Sequence, residues 1–450
     1  MAVIYILLAL LAVFLFWKKY YVAFLFIYLG VITGFFMLDP VTNSGFCGDV
    51  CIIMNILLLP LLPARYKKSE YDKSTHPVNY TLWPANDRFG IMLYCYLLFY
   101  VFEFLITVFS GAETLVPALK VIRISLLPQV YFIFKCIPLK AQERFFRLGL
   151  YLTLFQGLLY YLQFAGIHLI AGYDKEKTQI EGFNFALNYP TLTVFYIFYI
   201  LRSDRYGKFK YVLLLYLLGM VIMTYARMFI VSVFLGIILY LALDHKRNRL
   251  QTMAVVAVML VTVPVVTFVF ATKSANRSRS AAEDISQVIN DFNYLDTYTS
   301  SSGSFTFRMA MLVERFTYLL DNPEYLALGV GTIHEDSPKC YNRFDFILGT
   351  VNKERMYGKC LIESGDNAWI PVTLRYGIVG ILLHMAYFVV AFLVFVKRKD
   401  ALVFLAPVIL ISFINSFDGS FFENPVCLYL FSLFAAWAAR ADIEGIPVEI

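Results

Sequence analysis

Apolar stretches follow one another along almost the whole of this chain, separated by short polar turns. A stretch of about 20 apolar residues is the length an α-helix needs to cross the hydrocarbon core of a bilayer. Backbone groups there find no water, so each span must satisfy its own hydrogen bonds as a helix. The pattern predicts an all-α polytopic membrane protein. Composition points the same way: of 450 residues 60% are hydrophobic, 18% aromatic and only 16% charged, against roughly 25% charged in an ordinary soluble domain. The formal charge of +6 does not mark a nucleic-acid binder, because the Lys and Arg residues sit in small clusters between apolar runs, where the positive-inside rule places them. The partner implied is the lipid bilayer, with no nucleic acid.

The candidate spans are roughly 2–17, 20–38, 48–63, 89–109, 115–135, 148–171, 183–201, 211–226, 228–243, 252–271, 367–396, 401–417 and 424–440, about 13 transmembrane helices. The first runs straight into Lys18-Lys19 and another apolar run, with no basic n-region and no small-residue cleavage site, and so reads as a span rather than a cleaved signal peptide. Orientation follows from charge. One set of ends (Lys18-Lys19, 65–88, 135–147, 202–210, 246–249, 397–399 and Arg440) carries 22 Lys and Arg, whereas the opposite short loops carry three: Lys175, Lys177 and Arg227 at a tight turn. That asymmetry predicts a periplasmic N-terminus and a cytoplasmic C-terminus.

This orientation puts the one long hydrophilic segment, about 272–366, outside. The chain then divides into an N-terminal transmembrane bundle (1–271), a periplasmic loop or subdomain (272–366) and C-terminal transmembrane helices (367–450). The loop opens with a Ser-, Asn-, Asp- and Thr-containing stretch, continues with a helix-like run from Phe305 to Leu320 ended by Asp321-Asn322-Pro323, and turns at Gly329-Val330-Gly331. Four of the seven cysteines (Cys47, Cys51, Cys340 and Cys360) fall outside on this topology, which agrees with an oxidising compartment. Cys340 and Cys360 bracket a stretch of the external segment and could pair there, but spacing does not fix a pairing. No Cys/His spacing suggests zinc or another metal site, and no motif calls for a cofactor.

Three segments carry the chemistry. The first is Glu363-Ser-Gly-Asp366-Asn367-Ala-Trp-Ile-Pro-Val-Thr-Leu-Arg375-Tyr-Gly377-Ile-Val-Gly380, where the external segment re-enters the membrane. The second is Met223-Thr-Tyr-Ala-Arg227-Met228, set so tightly between two apolar runs that Arg227 must lie at the outer boundary. The third is Phe307-Arg308, followed about twenty residues later by Leu328-Gly329-Val330-Gly331. In order and topology these resemble the O-antigen polymerase and ligase family over about 211–396. Ligases of that family carry a His followed by Asn, Ser or Gln, nine residues, Gly, two residues and a small residue. Asp366, Asn367, Gly377 and Gly380 hold this spacing with Asp in place of the His, which looks like the Wzy-type polymerases. The purely structural alternative reads Asp366-Asn367 as a helix cap and the glycines as packing positions between spans.

The resemblance implies a fold similar to the GT-C class of lipid-dependent glycosyltransferases. Its substrate would be an undecaprenyl-pyrophosphate-linked oligosaccharide, acting as both donor and acceptor at the inner membrane. Arginines suit a pyrophosphate, since a guanidinium offers a permanent charge and paired donors matched to phosphate oxygens. Arg227 and Arg308 are the candidates, the alternatives being a lipid-interface anchor and a solvated helix charge. Lys120 and Arg123 share one helical face within an apolar run, and read either as the wall of the lipid-phosphate cavity or as a buried pair with Glu103. Activation of a sugar hydroxyl needs a base within hydrogen-bond reach. Asp366 is favoured because it replaces the ligases' His, with His334 and Glu363 behind it. The expected activity is O-antigen polymerisation, inverting and independent of metal, alongside a chain-length regulator and a flippase. The rivals are a ligase transferring polymer to lipid A core and a lipid-linked oligosaccharide transporter.

Overall fold

The computed structural model describes residues 2–34, 44–62, 87–164, 167, 179–180, 183–184, 190–224, 226–243, 304–335, 337–341, 343–344, 346, 362, 367–398, 400–419, 421–445 and 448. The expected span at 252–271 lies outside them, as do Glu363, Asp366 and Cys360. Elsewhere the described residues of the expected spans are largely helical, although the expected span 183–201 opens with the strand Phe183–Asn184 and is helical only from Thr193: α1 (Ala2–Trp17), α2 (Tyr21–Ile32), α3 (Ser44–Leu58), α4 (Arg88–Phe109), α5 (Leu115–Ser125), α6 (Val130–Lys135), α7 (Leu139–Phe164), α8 (Thr193–Arg202), α9 (Lys210–Ile222) and α10 (Arg227–Leu243). The external segment supplies α11 (Ser304–Asp321), α12 (Pro323–Leu326) and α13 (Pro338–Tyr341), and the chain closes with α14 (Trp369–Val396), α15 (Leu405–Asn415) and α16 (Pro425–Glu444). The described strands are one small antiparallel pair, Gln179–Ile180 with Phe183–Asn184.

Among the described residues four helices are long and apolar enough to cross a membrane: Arg88–Phe109, Leu139–Gln163, Trp369–Val396 and Pro425–Glu444. The pair Leu115–Ser125 and Leu127–Lys135 makes a fifth if taken as one span bent by 45°. The chain is thus an all-α, multi-pass membrane protein, while the expected count of thirteen spans is not reproduced among the described helices. The bend falls at Leu127-Pro128, where proline removes a helical donor and clashes with the preceding turn.

Polar contacts gather at the helix ends. At the basic end, Lys135 Nζ and Tyr131 OH both donate to Asp87 Oδ2 at 2.5 Å, and Arg440 donates to Glu444 at 2.6 Å. Arg398 there bridges Asp400 and Asp442. At the opposite end the contacts join α4, the external helices and the loop between α15 and α16. Between the two ends runs an aromatic core in which Tyr28 stacks on Tyr429 with centroids 5.2 Å apart. Asn424 opens α16, its Oδ1 accepting from Val426 N at 3.0 Å ahead of Pro425 at the first helical position. Asn424→Ala is expected to cost about 0.5–2 kcal/mol, read as a lower melting temperature in detergent.

Candidate functional site

The α14 helix is two helices. Gly377 has φ 57° and ψ −155°, outside helical values, and splits it into limbs 369–376 and 378–396. Trp369 and Phe388 both lie against Phe413, at 6.3 and 5.3 Å, and both against Phe422, at 5.7 and 5.6 Å. In a straight helix those residues would stand about 28 Å apart, so the short limb folds back against the long one. The expected span 367–396 is helical from Trp369 to Val396 but broken at Gly377 into a short limb and a long one.

A break leaves carbonyls without partners at the end of one limb and amides without partners at the start of the next. The Gly-x-Gly turn supplies both. Val330 N donates to Leu374 O at 2.9 Å and Gly331 N to Arg375 O at 3.0 Å, while Val379 N donates to Ala327 O at 3.0 Å. The approach is close enough to exclude any side chain: a Cβ on Gly329 would lie 2.4 Å from the Arg375 carbonyl carbon, and one on Gly377 2.6 Å from Gly329 N. Gly329 and Gly331 also hold φ of 75° and 88°. The glycines of two motifs are one joint, fixing the external segment to the membrane bundle.

The outer end of the bundle is organised around residues 415–424, between α15 and α16. Ala368 N donates to Ser416 O and Trp369 Nε1 to Ser416 Oγ, which seats the start of the short limb. The buried Asn367 opens that limb, its Oδ1 accepting from Trp369 N at 2.8 Å as an Asx turn. Arg308 on α11, largely buried, is ion-paired with Asp418. Asn415 Nδ2 donates to Ser232 Oγ at 3.0 Å, placing the first turns of α10, which begins at Arg227, beside the same loop. Residues 421–423 pack against α5.

Arg308 and the Ala368–Trp369 start of the short limb therefore meet at one loop, with Ser232 of α10 beside it. Arg308 contributes a described side chain there; for Arg227 the helix position alone is described. Lys120 is exposed on α5, and Arg123, about one third exposed, pairs with Asp49 at 2.7 Å rather than with Glu103. His334 lies at the other end of the short limb. Its backbone N–H donates to Glu113 Oε2 at 3.4 Å, and the preceding Ile333 carbonyl accepts from Arg375 Nε at 3.2 Å. The structure thus puts the His334 backbone at the joint, and Arg308 at the 415–424 loop. Nearby, burial raises the Tyr318 phenol above its ordinary value, and the Arg343 guanidinium opposes the shift.

Sequence reading missed Asp418, because the outer loops were weighed for Lys and Arg alone. Its signal was an acid in a short loop directly preceding a helix. Arg375 and Glu113 were also missed, though a buried cation within an apolar run is itself a signal. Among the described residues no group of three or more His, Cys, Asp or Glu could hold a metal ion.

Residues 212–385, under half of the chain, match the family model described as O-antigen ligase. The match starts in α9 and ends in the long limb of α14, so it includes Arg227, Arg308, Asp366 and the glycine joint and leaves out Asp418. A comparison with curated proteins gave no match.

Proposed function

We propose that this chain is an O-antigen polymerase, a glycosyltransferase that joins undecaprenyl-pyrophosphate-linked repeat units on the periplasmic side of the inner membrane. The match over 212–385 supports the broader reading, a role in the O-antigen polymerase and ligase family and in lipopolysaccharide-related biosynthesis. The observation that supports the site is the Arg308–Asp418 pair, on the same loop that seats Ala368 and Trp369. A guanidinium has five N–H donors and one carboxylate occupies at most two, so Arg308 can hold Asp418 and a phosphate oxygen together. Arg227, in the first turn of α10, is the second arginine assigned to that anion in this reading.

The reaction needs two things. Cations must stabilise the charge that develops on the departing pyrophosphate, which Arg227 and Arg308 supply with permanent charge. A base must take the acceptor hydroxyl's proton as that oxygen attacks the anomeric carbon, and Asp366, next to the buried Asn367, fills this role. Direct displacement by one base inverts the anomeric centre. The donor's polymer passes to the incoming lipid-linked unit and the lipid pyrophosphate leaves.

The description of the matching family favours a second reading, ligation of finished polymer to lipid A core. Deletion of the gene and gel analysis of lipopolysaccharide separates the two: single-unit product means polymerase, and absence of O-antigen from lipopolysaccharide with polymer left on the lipid carrier means ligase. Within either, Arg308→Ala is expected to lower turnover about 10- to 100-fold, since charge-assisted hydrogen bonds are worth roughly 1.5–3 kcal/mol. Arg308→Lys should restore part of this, because charge remains while the fork is lost. Normal polymer from Arg308→Ala at normal protein levels would make the residue a structural partner of Asp418 only.

A further inference from the structure

The core-facing positions of α4 are Phe89, Leu93, Tyr96, Tyr100, Glu103 and Thr107, a regular stripe of threes and fours, and Glu103 occupies one of them. It is 1% exposed, and its Oε1 has no hydrogen-bond partner. A carboxylate inside a membrane bundle is stable when it is paired with a cation or hydrogen-bonded donors, or when it takes a proton.

The cations around it are committed elsewhere. On α5, Lys120 is exposed and Arg123 pairs with Asp49. On α14, Arg375 Nε donates to Ile333 O, and His384 is engaged at both ring nitrogens. His384 Nδ1 lies 2.6 Å from the Gly380 carbonyl, which can only accept, so Nδ1 carries the hydrogen and Nε2 accepts from Tyr100 OH at 2.7 Å. Among the described residues the remaining titratable groups on α4, α5 and α14 are Arg88, Tyr94, Cys95, Tyr96, Tyr376 and Tyr387. At the outer turn, His334 N–H is held by Glu113.

We propose that Glu103 is a proton-binding site within the bundle, holding its carboxyl as the neutral acid one turn from Tyr100 on the core-facing stripe of α4. The inference stands on the α4–α14 seam and is independent of the proposed glycosyl transfer. Its consequence reaches the external segment. One turn outward Thr107 Oγ1 donates to the Glu103 carbonyl and accepts from Thr332 N at 2.9 Å, beside Gly331. A charge appearing on Glu103 would therefore load the seam just under the docked Gly-x-Gly turn. A carboxyl that folds as the neutral acid contributes its stability in full at acid pH and loses it progressively as pH rises above the ordinary carboxylate range.

The test is infrared spectroscopy of the full chain in detergent, with Glu103→Gln as the reference. The expected result is a carbonyl stretch of a neutral carboxylic acid at neutral pH that disappears in Glu103→Gln, together with a melting temperature that falls with rising pH in the wild type and falls less in the variant. A spectrum in which Glu103→Gln removes no neutral-acid band, or equal alkaline loss of stability in both proteins, overturns the proposal. Should Glu103→Gln fail to fold, wild-type protein labelled with carbon-13 at the glutamate carboxyls decides it: an isotope-shifted neutral-acid band is expected, and its complete absence at neutral pH overturns the site.

Discussion

Asp366→Asn is expected to lower polymer formation by roughly 10²–10⁴, the range that removal of a general base costs. The substitution keeps size and polarity and removes basicity, so it separates the two readings of Asp366-Asn367 without repacking the site. If Asp366 served only to cap the short limb of α14, Asn would replace it almost without loss, because Asn and Asp are near-equal caps. The neighbouring residue sharpens this contrast. Asn367 already accepts from Trp369 N at 2.8 Å, so the start of that limb has a side-chain partner of its own. Asp366→His is the companion measurement, since it places the ligase residue at the same spacing. Initial-rate assays with purified lipid-linked substrate give the answer. Full activity of Asp366→Asn would move the base to His334 or Glu363.

Gly377→Val is expected to prevent assembly of the folded protein, with a cost of several kcal/mol arising from two sources. Its φ of 57° and ψ of −155° belong to a region that side-chain-bearing residues rarely enter, a strain of order 1–3 kcal/mol. The added Cβ would also lie 2.6–2.7 Å from Gly329 N and the carbonyl oxygens of Ala327 and Leu326, which are backbone atoms held in the joint; overpacking of this kind costs roughly another 1–3 kcal/mol. Gly111→Ala is the control, because Gly111 has φ 71° but nothing within 4 Å of the added Cβ. It should show the conformational cost alone, roughly 1–2 kcal/mol. Melting temperature and protease resistance in detergent read both. Equal behaviour of the two variants would mean that the joint yields and does not fix the external segment.

The all-α membrane class was legible in the residues themselves. Long apolar stretches have one solution in lipid, since an unpaired backbone group there is too costly, and the clusters of Lys and Arg mark alternate ends. The structure sorts those ends into two groups, with Lys135, Asp87, Arg440 and Glu444 together at one. The helix from Ser304 to Asp321 was equally plain, ended by the Asn322-Pro323 turn. The glycine spacing was visible as well, although what the glycines do was not. Gly329 and Gly377 stand 48 residues apart in the chain, and nothing in either local sequence states that their backbones touch. The same holds for Arg308 and Asp418, and for Arg123, whose partner proved to be Asp49 and not Glu103. Local pattern determines which stretches become helices, because hydrophobic burial and backbone pairing act residue by residue. Which charge meets which, and which helix breaks, depends on contacts between elements distant in sequence, and those were decided by close packing in the tertiary structure.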